Sequence, residues 1–555
     1  MEGSWHSTGR GLFSRQATVV AAATGAEPSW PRKEARETAF GMTSPKELYN
    51  EIVEITTASG VPEWLHGCFY RNGPGTYENG TPGGMEHLFD GYGMIVKFEI
   101  DPTKKPSCVV SMSNSFVKSG AYQKFKETGR MAWREFGTPL QHQSVVESVV
   151  DVGSTILGSL GIGQGVTDNA SVHIVKFGSS FWAMTETVPG TFEIDGDTLE
   201  TVQRVRYEDG LEGTLTTAHP LLMDNGKTMV NILSVPGKGF TVYSCDADAE
   251  SYRRVKIASI PHRRPLSPAW IHDFPGNDEY IVIPETPLYF NLASLTLGSP
   301  PGTHLFLDWI PEDGSRIHIV HRHTGTVHTV ETDPFFVFHW ANAFVSDDGR
   351  YLHIDATVYD DPDIVEHLLL KNVREGTREL PQSALRRMTF EKQNDGSFTL
   401  VRDHTSDGTS SSWRRLSEDE GRDFGHFTDF PTVSPKVRGH AQRYVWMSAA
   451  VRPTNVTNAL VKFDVETSKS IFWHEPGALP GEPCFVPNPL PSCSAEDDGV
   501  ILSMLTEASG GSALLVLDAS SMKELCRIHS PIPIASGFHG SWVFNSSSNG
   551  TGTSE

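Results

Sequence analysis

Twenty-two histidines are the main chemical resource of this chain, because imidazole can move protons near neutral pH and is the commonest metal ligand. The densest group is His318, His321, His323 and His328, interrupted by the turn dipeptide Thr324-Gly325. Residues two apart on a strand share a face, so His321 and His323 point one way and His318 the other. They cannot converge locally, and the segment reads as a solvent-facing hairpin. His353-Ile354-Asp355 places an imidazole and a carboxylate on one strand face, as a two-histidine, one-carboxylate iron triad would begin. Such a triad also needs a distant second histidine and a co-substrate site.

Four other histidines share a different context: Thr217-Ala218-His219-Pro220, Trp270-Ile271-His272-Asp273, Phe338-His339-Trp340 and Phe538-His539-Gly540. Each stands among apolar or small residues, where an unpartnered imidazole is costly to bury. Separate core histidines bonded to backbone groups are one reading. The other is a ring of ligands, one from each of several repeated units, forming a neutral nitrogen-only site suited to Fe(II) with positions left open.

The elements that would position such a ring are strands. Asp195-Gly196, Asn225-Gly226, Asp313-Gly314, Asp348-Gly349, Asp395-Gly396 and Asp498-Gly499 punctuate short alternating or apolar runs. Such dipeptides supply the positive φ angles of tight hairpins. Thr228–Leu233 and Tyr351–Ala356 are typical strand segments. Many short strands without long helices between them define an all-β class, and at this length a propeller best closes one sheet system. No 40–50-residue repeat period of the WD40 or kelch kind is apparent. Val145, Val149, Val152, Ile156 and Leu160 form an apolar helix face, and residues 287–297 form an apolar excursion. Both suit core packing or a patch that dips into a membrane surface.

Composition narrows the function classes. Of 555 residues, 68 are acidic and 46 basic, a net charge of −22 that disfavours binding to nucleic acid phosphates. Hydrophobic residues make up 38%, enough for a large core, and no run approaches the ~18 apolar residues of a membrane span, so a soluble globular protein is expected. Six scattered cysteines without a Cys-x-x-Cys pair point to a reducing compartment, in which the sequons at Asn169 and Asn455 are accidental. Residues 1–40 form a transit or disordered segment: Gly3 to Ala26 has Arg10 and Arg15 but no acid. The body is one domain over 41–543, and the polar residues from 544 to 555 form a disordered tail. There is no Gly-x-Ser-x-Gly elbow or Walker loop, and the Gly161, Gly163, Gly165 run carries no dinucleotide fingerprint.

At the four separated histidines the chain resembles the carotenoid cleavage oxygenases. The similarity runs from about Pro62 to Trp542, through Arg71-Asn72-Gly73-Pro74-Gly75, His87-Leu88-Phe89-Asp90-Gly91, Thr167-Asp168-Asn169-Ala170, Thr185-Glu186-Thr187 and Glu482-Pro483-Cys484-Phe485-Val486-Pro487. The resemblance implies a seven-bladed β-propeller with a helical cap, and Fe(II) held by His219, His272, His339 and His539. It also implies carboxylates that orient the rings: Glu186 for His272, Glu482 for His539 and Asp429 for His339. Asp429 is one methylene shorter than the Glu of many members, so its contact is expected to be longer or water-bridged. His219 has no named partner.

The implied activity is cleavage of a conjugated C=C bond by O₂ to give two carbonyl products, in a long apolar tunnel beside the metal. Arg134-Glu135-Phe136-Gly137, Glu366-His367-Leu368-Leu369-Leu370 and Trp473-His474-Glu475-Pro476-Gly477-Ala478 most resemble the plant carlactone-synthase branch. That branch acts on a β-apo-10′-carotenal on the way to strigolactones in the plastid. Stilbene-cleaving and retinal-forming branches share the iron motifs. An O₂-independent isomerohydrolase and a non-catalytic binding propeller are the other classes. A lipophilic polyene implies peripheral membrane contact, through the 145–160 face or the 287–297 excursion, in the plastid or at a cytoplasmic membrane.

Overall fold

The computed structural model describes residues 30–545 except 43–44, 58, 105–107, 141–165, 248–250, 292–293, 295–304, 377, 405–408, 418–420 and 491. Antiparallel strands dominate and group into seven blade sheets. The first blade orders Leu48–Ile52, Val109–Phe116, Tyr92–Asp101, Gly67–Thr76 and Gly540–Phe544. Blades two and three use His173–Phe177 through Thr201–Arg204 and Leu221–Met223 through Arg254–Ile260. Blade four pairs Tyr280–Glu285, Ser315–His321 and Val327–Thr332. Blades five and six run from Phe336–Val345 to Phe398–Val401 and from Thr428–Thr432 to Lys469–His474.

The seventh blade explains how the ring closes. It combines Gly499–Thr506, Ser512–Asp518 and Glu524–His529 with Ile55–Thr57 from the start of the chain. In exchange, Gly540–Phe544 from the end of the chain pairs with Gly67–Thr76 in blade one. Each terminal segment thus completes the other's blade, which leaves no open seam between first and last. The pairing at Gly540 is tight: a Cβ there would lie 2.0 Å from the Tyr70 carbonyl oxygen. Between blades, side chains interdigitate. Trp446 of blade six, fully buried, packs its ring 4.5 Å from that of Phe485 at blade seven.

The turn signals act as expected at several positions. Asn225 and Gly226 both take positive φ, 55° and 80°, between Leu221–Met223 and Thr228–Val235. Gly349 and Gly396 do so in the hairpins of blade five. Asp313-Gly314 instead lies between Leu307–Trp309 and Ser315–His321, which belong to different sheets, so it turns the chain without making a hairpin. Helices are short: among the described residues the longest is Gly120–Thr128, and no helix is long and apolar enough to cross a membrane.

Several expectations can be set beside the structure. Lys33–Ala39 is a helix with Ala35 and Ala39 fully buried, so the folded body includes residues that the sequence reading assigned to the leading segment. Of the 287–297 excursion, Leu288–Phe290 pairs with Leu307–Trp309, and Leu288 and Tyr289 are buried as core. Leu292, Leu295 and Leu297, the 145–160 face and the Gly161–Gly165 run lie outside the described residues. All six cysteines are free, and Asn169 and Asn455 are buried.

Gly540→Ala is expected to force the closing strand off Tyr70, lowering stability by about 1–3 kcal/mol as overpacking does. A melting curve unchanged from the parent protein would show that the ring does not depend on this close approach.

Candidate metal centre

The four separated histidines arrive from four blades. His219 precedes Leu221–Met223, His272 lies in the loop before Tyr280–Glu285, His339 is within Phe336–Val345 and His539 immediately precedes Gly540–Phe544. One nitrogen from each lies within 4.8 Å of all the others. The Nε2 atoms of His272 and His339 are 3.2 Å apart, as are those of His339 and His539. Local hydrogen bonds aim these segments. The His219 amide donates to Thr217 Oγ1 at 3.1 Å. Asp273 locks two ligand segments together, accepting the Trp340 amide at 3.1 Å beside His339. The strand register shifts between Val337 and Trp340, a bulge that re-aims His339.

Three of the rings are oriented by carboxylates. His272 Nδ1 donates to Glu186 Oε1 at 2.5 Å, His339 Nδ1 to Asp429 Oδ1 at 2.8 Å and His539 Nδ1 to Glu482 Oε1 at 2.8 Å. The Asp429 contact is therefore direct, neither long nor water-bridged. The strand is irregular at this point, with a register shift between Asp429 and Thr432 and Phe430 at φ 50°, a distortion of the kind that re-aims a side chain. Each carboxylate has its own support. Trp270 Nε1 donates to Glu186 at 2.7 Å, the Tyr359 hydroxyl to Asp429 at 2.6 Å, and the buried Arg71 guanidinium to Glu482 at 2.5 Å. Burial opposes ionisation of Asp429, but its interaction with His339 and the hydrogen bonds from His339, Tyr359 and the Phe430 amide hold its pKa below the ordinary value.

These residues fit a metal ion. A carboxylate can only accept, so each partnered ring carries its proton on Nδ1 and presents a lone pair at Nε2. Lone pairs facing one another at 3.2 Å repel unless a cation lies between them, and two ligands about 2.1 Å from one ion at a right angle have about that separation. His219 Nε2 is buried with no hydrogen-bond partner, as an unused ligand atom would be. Burial and the neighbouring imidazoles push the pKa values of His219 and His539 well down, keeping both rings neutral. Three carboxylates against one guanidinium leave a local charge of −2, which a divalent cation balances.

The remaining histidine candidates have other employment. His321 and His323 lie on the expected hairpin, but His318 is buried, not solvent-facing, with Nδ1 2.8 Å from Thr329 Oγ1 and Nε2 3.3 Å from Glu285. His353 bonds Thr389 at 2.9 Å, and Asp355 is clamped by both arms of Arg387, so His-x-Asp founds no metal triad. Sequence reading missed His173. It heads the second blade's first strand, its ring 5.3 Å from those of both His219 and His539, with Nδ1 2.8 Å from the Ala218 carbonyl. It also missed Arg71, Trp270 and Tyr359 as supports. Arg71 stands in a family motif and Trp270 beside a predicted ligand, whereas Tyr359 carries no such signal, and nothing local to the three announces partners 411, 84 and 70 residues away.

His272, His339 and His539 line a cavity of ≈ 400 Å³. Its wall is largely aromatic and aliphatic, including Phe89, Phe136, Phe306, Phe338 and Leu368. Phe89 stacks parallel to His272, and Phe430 lies against His339 with ring centroids 4.8 Å apart. Ile364 and Leu368, from the short helix Asp363–His367 and its end, help to roof the space.

A propeller whose blades send four histidines to one point beside an apolar tunnel defines a class, and comparisons place the chain within it. The family model described as retinal pigment epithelial membrane protein (RPE65) matches residues 42–544, and the chain belongs to this carotenoid oxygenase family. It is 32% identical over 504 residues to carotenoid cleavage dioxygenase 8, chloroplastic, of Arabidopsis thaliana, covering 88% of this chain and 83% of that protein. To the rat β,β-carotene 15,15′-dioxygenase it is 28% identical over 536 residues, covering 91% of each chain. The solved structure of a Synechocystis apocarotenoid oxygenase variant superimposes with a TM-score of 0.72 at 23% identity, covering 94% of this chain and all of that one.

His272→Ala removes a ligand and is expected to abolish metal retention, measured by elemental analysis; full occupancy in that variant would sink the ligand assignment. Asp429→Asn keeps the size but loses the charge that orients His339. Metal affinity is expected to fall about 10–100-fold, read by chelator competition.

Proposed function

We propose that this chain binds Fe(II) through His219, His272, His339 and His539 and uses O₂ to cleave a conjugated C=C bond of an apocarotenoid, incorporating both oxygen atoms. The observation that carries this reading is the junction of a four-nitrogen centre with an apolar tunnel. Iron, when bound, supplies the redox chemistry that activates O₂. The protein supplies position and environment. Glu186, Asp429 and Glu482 fix the ring orientations, and the neutral imidazoles leave the ion its full charge. Phe89, Phe136 and Phe338 exclude water and hold a flat polyene by contact alone.

The substrate reading is β-apo-10′-carotenal, giving carlactone on the way to strigolactones in the plastid. It is supported by the 32–33% identity to the chloroplastic dioxygenase 8 proteins of Arabidopsis and rice, against 28% to the rat β-carotene enzyme. Entry from a membrane surface is supported at one place. Leu266 lines the cavity yet is 77% exposed, so the tunnel reaches the surface at an apolar residue.

The test is product mass spectrometry on the Fe(II)-loaded protein under ¹⁸O₂ with all-trans and 9-cis β-apo-10′-carotenal. Chain-shortened or rearranged products with label from O₂ are expected from at least one isomer. Turnover of β-carotene but of neither apocarotenal would overturn the substrate reading. Unlabelled products would overturn the oxygenase reading.

A further inference from the structure

Three of the four ligand rings are oriented by carboxylates, and among the described residues His219 has no such partner. A ring without an outer acceptor must be aimed through its backbone. The peptide joining Ala218 to His219 is planar, so holding its two polar ends fixes the bond about which His219 turns. Its N–H donates to Thr217 Oγ1 at 3.1 Å. Its C=O, in a fully buried residue, accepts from His173 Nδ1 at 2.8 Å, the one donor that the described residues offer it. Pro220 disfavours helical backbone at His219 from the other direction.

His173 is well placed to make that contact. A carbonyl only accepts, so the imidazole carries a proton on Nδ1 and donates it. Its ring centroid lies 5.3 Å from those of both His219 and His539. Its main chain is anchored to the His539 segment. The His173 carbonyl accepts from Asn72 Nδ2 at 2.9 Å, and the Asn72 amide donates to the His539 carbonyl at 2.9 Å. The His539 amide donates in turn to the Val172 carbonyl at 3.3 Å. One residue of blade two thus ties together ligand segments that lead into blades three and one. His173 stands outside both the cavity wall and the four converging nitrogens, so what it acts on is those segments.

We propose that His173 is a positioning residue for the metal centre: its Nδ1–H, bonded to the Ala218 carbonyl, sets the direction of the His219 ring and takes the part that a carboxylate plays for each of the other three. This rests on the four-histidine reading of the centre and adds to it how the one ligand without a carboxylate is held.

The experiment is metal binding by the full chain. Co(II) affinity is measured by chelator competition, and the visible bands of the bound Co(II) report how its ligands are arranged. His173→Phe keeps an aromatic ring but not the donor. Its affinity is expected to fall about tenfold, with altered bands. His173→Asn sets an N–H donor near the place of Nδ1 and is expected to restore both. Leucine has about the size of asparagine without its donor, so His173→Leu is expected to behave like the phenylalanine variant. That pair decides the matter if His173→Phe fails to fold. In a His219→Ala background, His173→Phe is expected to cause no further loss, because its effect passes through His219. A general loosening of the fold would weaken both backgrounds alike, and that result overturns the proposal. So do equal losses in His173→Asn and His173→Leu, or parent-like affinity and bands in both variants without the donor. His272→Ala is measured alongside. Metal lost there but held as in the parent by the variants without the donor counts against His173 alone. Metal retained in His272→Ala counts against the four-histidine centre, and this proposal falls with it.

Discussion

Mutual repulsion among converging imidazole lone pairs is the constraint that organises this molecule. Nε2 atoms 3.2 Å apart do not approach one another spontaneously, and no single stretch of chain could hold them there. The propeller does so by rigidity. Each of the four histidines sits on a blade strand or on the segment leading into one, and each blade is held by its neighbours' buried side chains. The exchange of terminal strands between blades one and seven then prevents the ring from spreading. His539 is the point where this closure and the centre meet, since it immediately precedes the strand that pairs with Gly67–Thr76.

The centre is also an exercise in charge burial. Three acids placed near one another in a low-dielectric interior would ordinarily be destabilising, because each raises the cost of ionising the next. Here a different donor compensates each one: an indole N–H, a phenol and a guanidinium. The residual charge of the cluster matches that of a divalent cation. Beyond it the wall turns apolar, with Phe430, Phe89 and Phe338 against the ligand rings.

Much of this was legible in the chain. The Asn-Gly and Asp-Gly turns marked hairpins because positive φ is a local property of the residue, as Asn225 and Gly226 show. The four histidines stood out because their apolar or small neighbours pointed to burial, which makes an unpartnered imidazole expensive. The acid–histidine pairings could be assigned through family motifs, but not the geometry of Asp429. A side chain's length predicts its reach only on regular backbone, and here a bulge moved the backbone instead. His318 was misjudged for a related reason: strand alternation tells which residues share a face, not which face is covered by a neighbouring blade.

Composition, local spacing and resemblance were sufficient for the all-β class, the seven blades, the four histidines and the family, because these depend on residue type and order along the chain. Tertiary structure alone decided that His173 stands beside the ring and that Arg71 supports a glutamate 411 residues away. Those relations arise from closing a ring of blades. Closure brings together residues whose local sequences carry no trace of one another, and the physics of burial then acts on the neighbours it has made.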